Sequence, residues 1–111
     1  MRKQKIKELD KLASQIVRNK KKCERCHRTD KNLFCAHIHP RTKFNTRWDL
    51  ENLLSLCWHC HDWAHKHPID FNDFCEDKLG KKKFDDLKIR ANISAKGQDL
   101  EAIKIYLEAQ C

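Results

Sequence analysis

From Lys5 to Arg18 the apolar residues Ile6, Leu9, Leu12, Ala13, Ile16 and Val17 recur at helical spacing, with lysines and an arginine between them. That pattern predicts an amphipathic helix with a basic outer face. Leu33 to His39 reads as a short strand halted by Pro40, and alternation along a strand would place His37 and His39 on one face. Arg41 to Asp49 is a polar, basic loop with Phe44 and Trp48 as apolar anchors, after which Leu53-Leu54-Ser55-Leu56 forms the return strand. Helix is expected from Trp58 to about Lys66, with His61 and His65 one turn apart on one face and Pro68 ending the element. The rest reads as helical. Asp70 or Asn72 caps a segment reaching Leu79 with Gly80 as its stop, and Lys82 to Ala91 follows. Gly97 then separates off Gln98 to Ala109, whose core stripe comprises Leu100, Ile103 and Leu107 with Ile105 and Tyr106 beside them.

A chain of 111 residues makes one small domain with a modest core, for which a metal staple is expected. Its formal charge of +8 is uneven: residues 1–22 hold nine Lys/Arg against Glu8 and Asp10, so seven of the eight charges lie there. A basic arm ahead of a compact core suits a polyanion, because phosphate neutralisation supplies most sequence-independent affinity; a solvated helix face is the plainer alternative. Lys20, Lys21 and Lys22, at the end of this arm, are candidate DNA contacts. No apolar run approaches the roughly 18 residues that cross a membrane, and no signal-peptide pattern opens the chain. A soluble intracellular protein without membrane partners is expected. Trp48, Trp58 and Trp63 are expected to be packing groups.

Seven cysteines make an odd count, and four of them form two C-x-x-C pairs, Cys23/Cys26 and Cys57/Cys60, with 30 residues between. That spacing points to thiolate ligands rather than a disulfide framework. Four thiolates complete the tetrahedral shell of zinc and leave no position for substrate, so this site is structural. Cys35, Cys75 and Cys111 are left as core or terminal thiols. His27, His59 and His67 read as ordinary surface or hydrogen-bonded histidines.

The two knuckles tie the start of the histidine strand to the start of the histidine helix. A strand histidine in Ala36-His37-Ile38, Asn52 on the returning limb and His61 opening a helix together resemble the HNH, or ββα-metal, nuclease motif. The implied fold is a mostly helical α+β protein. Residues 1–22 are its basic helix, 23–67 a zinc-stapled ββα-metal (His-Me finger) core, and 68–111 a helical tail. The resemblance implies phosphodiester hydrolysis. His37 would be the base that activates water, and Asn52 would orient it. His61 and His65 would carry one catalytic divalent ion, Mg²⁺, Mn²⁺, Zn²⁺ or Ni²⁺, with His39 as a further ligand or in exchange with His37. Arg41 and Arg47 suit phosphate, with Lys43 beside them in the same loop.

Beyond the site the chain resembles the NinG (Rap-like) recombination proteins and related HNH nucleases of bacteriophages. The resemblance rests on Leu9-Asp10-Lys11-Leu12 to Ile16-Val17-Arg18, Ala36-His37-Ile38, Thr46-Arg47-Trp48-Asp49, Asn52, Cys57-x-x-Cys60-His61, Leu79-Gly80 and Leu87. It implies a metal-dependent DNA endonuclease of phage recombination or replication, working in the host cytoplasm and leaving 5′-phosphate and 3′-hydroxyl ends. Branched DNA is a candidate substrate; the oligomeric state stays open, although a dimer would suit such DNA. Two departures stand out. Ala36 fills a position where many HNH sites place an extra ligand, and His61 stands where NinG-like sequences usually have Asn. The chief rival reading is a non-catalytic, zinc-ribbon-like DNA-binding module, and a third is a protein-interaction zinc module.

Overall fold

The computed structural model describes residues 2–94 and 98–111, in the order α1 (Arg2–Arg18), β1 (Leu33–His37), a 3₁₀ turn (Leu50–Asn52), β2 (Leu53–Cys57), α2 (Trp58–Lys66), α3 (Pro68–Leu79), α4 (Lys81–Asn92) and α5 (Leu100–Glu108). The mostly helical α+β expectation holds, with the sheet reduced to one antiparallel hairpin in which His37 pairs with Leu53 and Leu33 with Cys57. The expected break at Gly97 lies outside the described residues.

The hairpin divides two apolar clusters. Alternation turns Ala36, Leu54 and Leu56 toward one cluster, where they meet Ala64 of α2, Cys75 of α3 and Phe84 of α4. It turns Cys35 and Leu53 toward the other, with Leu9, Ala13 and Val17 of α1, Leu107 of α5 and Trp48. A two-stranded hairpin is marginal alone; helices on both faces stabilise it here.

Several boundaries differ from expectation. The β1 ladder stops at His37, two residues early: Ile38 N–H still donates to the Asn52 carbonyl (2.9 Å), but Asn52 N–H turns back to the Asp49 carbonyl (2.8 Å) and Asn52 Oδ1 captures the next amide, His39 N–H (2.8 Å). His37 and His39 therefore do not alternate on one strand face. Helix α3 starts at Pro68, with neither Asp70 nor Asn72 as its cap: Pro fits the first helical position, and Asp70 falls in the first turn, where its charge faces the positive helix end. Gly80, with φ +85°, both stops α3 and precedes α4. In α5 the Asp99 carboxylate caps Ala102 N–H at 3.0 Å. Leu107 is fully buried and Leu100 and Ile103 pack beside it, but Ile105 is 66% exposed and Tyr106 is exposed too, because they lie on the opposite helix face. Trp48 is buried and Trp63 packs edge-on against Phe71 and Phe74. Trp58 does not pack: it is 65% exposed, since α2 buries the face of Cys60 and Ala64.

A polar staple joins α1 to the loop before β2. Arg47 donates to both Asp10 oxygens (Nε–Oδ1 3.0 Å, Nη2–Oδ2 2.7 Å), and Trp48 Nε1 donates to Oδ1 at 2.8 Å. Burial alone would raise the Asp10 pKa, but these hydrogen bonds and the Arg47 charge outweigh it and hold the carboxyl below its ordinary value. The resulting stability is complete above the unfolded-state pKa near about 4 and fades as pH falls through the lower folded value. Asp10→Ala, which leaves a guanidinium and an indole N–H without their acceptor, should lower the unfolding free energy by about 2–4 kcal/mol in urea titrations at pH 7. The deficit relative to wild type should shrink below about pH 4.

Candidate metal centre and histidine cleft

The first knuckle is a tight loop. Cys23 N–H donates to the Arg28 carbonyl and His27 N–H to the Cys23 carbonyl, both at 2.9 Å, with His27 in the left-handed region at φ +65°. Glu24, between the two cysteines, seats this loop on β2. Its N–H donates to the Ser55 carbonyl (2.8 Å), and its carboxylate accepts from Ser55 N–H (2.7 Å), Lys20 Nζ (3.1 Å) and Lys78 Nζ (3.3 Å). Burial raises the pKa of this carboxyl, yet the Ser55 amide and the two lysines hold it below the usual range. Cys57 ends β2 and Cys60 lies in the first turn of α2.

The result is a nest in which the ligand atoms of Cys23, Cys26, Cys57 and Cys60 all lie within 4.8 Å of one another. A tetrahedral zinc with arms of about 2.3 Å requires sulfur separations of about 3.8 Å; Cys26 and Cys57 Sγ are 3.8 Å apart. The donor set thus fits a structural metal such as zinc. Burial opposes ionisation of Cys23, but backbone N–H groups around it prevail and bring its pKa down to about 6. Arg25 adds a positive neighbour: Nη1 approaches Cys60 Sγ at 3.5 Å while the guanidinium stacks 3.6 Å over Trp63.

A cleft of about 940 Å³ runs along the outer edge of β1. Every residue from Leu33 to Ile38 lines it and no β2 residue does; α1 forms one wall, and α2 with the start of α3 forms the other. His37 enters from the α1 side, on the strand face shared with Cys35 and Leu53, whereas His61 and His65 enter from the α2 side. Both sets thus line one cleft along the free edge of β1. The His61 and His65 rings are 4.7 Å apart, edge to face, and Phe34 stacks on His61 at 6.0 Å.

The imidazoles of His37 and His61 are biased toward the neutral form. Burial lowers the His37 pKa, and the Arg41 and Arg47 charges add to it against the opposing influence of Asp10. Burial and then the neighbouring His65 lower that of His61. Neutral rings are the state that accepts a proton or binds a metal. Among the described residues, the cluster of three or more close metal donors is the cysteine nest; the cleft histidines do not form a second one.

The other expected site residues are distributed unevenly. Arg41 lines the cleft. Arg47 also lines it, but its guanidinium is 14% exposed and bound to Asp10. His39 is outside the lining; its Nε2 is buried without a hydrogen-bond partner, and burial, Lys43 and Lys88 all lower its pKa. Lys43 Nζ donates to Asn92 Oδ1 at 3.1 Å, and Lys20 is held by Glu24. Lys21 and Lys22 are exposed. Asn52 is completely buried: its Nδ2 donates to the His39 (3.1 Å) and Thr46 (3.0 Å) carbonyls. It thereby fixes the segment that leads into Arg47, which lines the cleft together with His37. Sequence reasoning missed Asp10, Glu24 and Arg25, although a buried-side acid on a basic helix and charges inside a C-x-x-C loop are signals in themselves. Ser14 and Arg18, also in the cleft wall, were hidden within the general basic face of α1.

Because the cysteine nest joins segments from two parts of the chain, a metal held there would be linked to folding. Native mass spectrometry should find one zinc ion held by this nest. Stripping it with a strong chelator should remove folding energy on the order of 10 kcal/mol and abolish the cooperative melting transition. Cys57→Ser should reproduce that loss without chelator.

Residues 23–67 match the family model described as HNH endonuclease. No curated protein and no solved structure matches the chain. The matched segment begins at the first cysteine and ends just beyond α2, so it contains the nest, the hairpin and the histidine helix. The match covers 45 of the 111 residues and shows that this segment is similar to HNH endonucleases.

Proposed function

We propose that this protein is a metal-dependent endonuclease that hydrolyses DNA phosphodiester bonds in the cleft beside β1. The observation that carries the proposal is the convergence of His37, His61, His65 and Arg41 on that one cleft, within the segment that matches the HNH model. Water becomes an effective nucleophile once a base takes its proton, and His37 has the required neutral ring. Asn52 is its positioning residue, acting through the main chain of residues 46–47. Arg41 neutralises the phosphate; Arg47, committed to Asp10, shapes the wall instead.

His61 and His65 would hold the catalytic divalent ion, whether Mg²⁺, Mn²⁺, Zn²⁺ or Ni²⁺. When bound, such an ion supplies a Lewis acid for the phosphate oxygens. Imidazole pairs one helical turn apart suit this use, and Ala36 on the same side of the strand contributes no further donor. His39 is left out of this shell because it lies outside the cleft lining. The narrower reading, a phage-type recombination or replication nuclease acting on branched DNA, with a dimer suited to such substrates, rests on the NinG-like residues around Asp10, Trp48 and Leu87. The buried methyl of Ala36, where an additional ligand is common, favours one second reading: a DNA-binding module without catalysis.

Incubation of plasmid DNA with Mg²⁺ or Mn²⁺ should give cleavage that His37→Ala reduces by about 10²- to 10⁴-fold, the range for a lost general base. His37 must be neutral to act, so activity should rise with pH through its depressed pKa and level off above it. Arg41→Gln removes a charge that depresses this pKa and should move the acidic limb to higher pH. If wild type and His37→Ala bind DNA equally and both leave it intact, the non-catalytic reading replaces this one.

A further inference from the structure

We infer that the exposed lysine ridge of α1 is a phosphate track that carries duplex DNA away from the cleft, a reading that builds on the proposed DNA chemistry of that site. At about 100° per residue, Lys3, Lys7, Lys11, Ser14 and Arg18 fall within a single narrow stripe of the helix. Ser14 and Arg18 line the cleft, and Arg18 Nε donates to Ser14 Oγ at 3.0 Å. The stripe thus begins inside the cleft wall and continues out of it, from Ser14 to Lys3, for about 16 Å along the helix.

These cations are free in a way that Lys81, Lys82 and Lys83 at the start of α4 are not. Among the described residues, Lys3, Lys7, Lys11 and Arg18 make no ion pair, whereas Lys81 pairs with Asp85, Lys82 with Asp86 and Lys83 with Glu51. The two acids of α1 do not neutralise the ridge: Glu8 is bound to Lys104 of α5, and Asp10 to Arg47 and Trp48. The arrangement works against the helix itself. Lysines four residues apart repel each other, and the first turn of α1 has no acid to complement the positive helix end. A uniform cationic ridge that its own fold leaves uncompensated is complementary to a polyanion. A lipid surface fits less well, because the apolar face of α1 is already occupied by Trp48, Leu53 and Leu107.

The test measures DNA binding by fluorescence anisotropy as a function of salt, using the full chain with metal and duplexes of about 12 and about 30 base pairs. K3Q/K7Q/K11Q should lower the slope of log affinity against log salt by about 2–3 units on the longer duplex, roughly one per phosphate contact removed. Its preference for the longer duplex should also disappear. K81Q/K82Q/K83Q, which removes the same charge from paired lysines, should change the slope by less than about 1 unit. Circular dichroism checks that both variants are folded. Equal slopes for wild type and K3Q/K7Q/K11Q, equal losses in the two triple variants, or no binding by wild type at low salt would each overturn the track. So would loss of binding to phosphatidylserine vesicles in K3Q/K7Q/K11Q with no change on DNA. Cleavage is followed in parallel. A wild type that never cuts, combined with the expected fall in slope, removes the nuclease reading and keeps the track; a wild type that cuts, with slopes unmoved, does the reverse.

Discussion

Four sulfur ligand atoms within 4.8 Å of one another fix where the two halves of the site can be. Cys23 and Cys26 precede β1; Cys57 and Cys60 end β2 and open α2. Closing this nest therefore sets the angle at which the histidine helix leaves the hairpin. A core of this size has little apolar burial to spare, so an ion held in the nest would replace what packing alone would otherwise have to supply. Glu24 makes the closure specific. By bonding to both peptide groups of Ser55 it seats the knuckle in one register, since a slip by a residue would leave a buried carboxylate facing the wrong amide.

The α1 side depends on polar staples rather than metal. Asp10 gathers Arg47 and Trp48, and Asn52 gathers His39 and Thr46, so the long loop between the strands is held at both its flanks. Asn52 is buried and Asp10 half-buried, each with its partners satisfied, the condition under which such groups specify a single arrangement. The ring of His37 lies between these two devices. Its burial and its proximity to Arg41 follow from them.

The elements were legible in the sequence wherever the signal was local. Helical spacing located α1, the paired cysteines located the nest, and the histidines of α2 were placed one turn apart because four residues of helix allow little else. Three features were hidden because they depend on distant partners. The strand was drawn through His39, yet Asn52, thirteen positions away, takes over its hydrogen bonding. Arg47 looked free for phosphate until Asp10, on another element, claimed it. Trp58 looked like core because aromatics usually are, but its place is decided by which face of α2 meets the hairpin. Within the cleft, the residue types were readable while the walls were not: nothing local says that α1 borders the edge of β1.

That border has a consequence for modularity. The segment similar to HNH endonucleases starts at residue 23, but Ala13, Ser14 and Arg18 form part of the cleft wall and Val17 seals the cluster beneath it. A fragment trimmed to the recognisable motif would expose Trp48 and Leu53 and would leave the histidines on an open shelf. The portable unit of this architecture is thus larger than its signature, and a graft onto another scaffold would have to bring the leading helix with it.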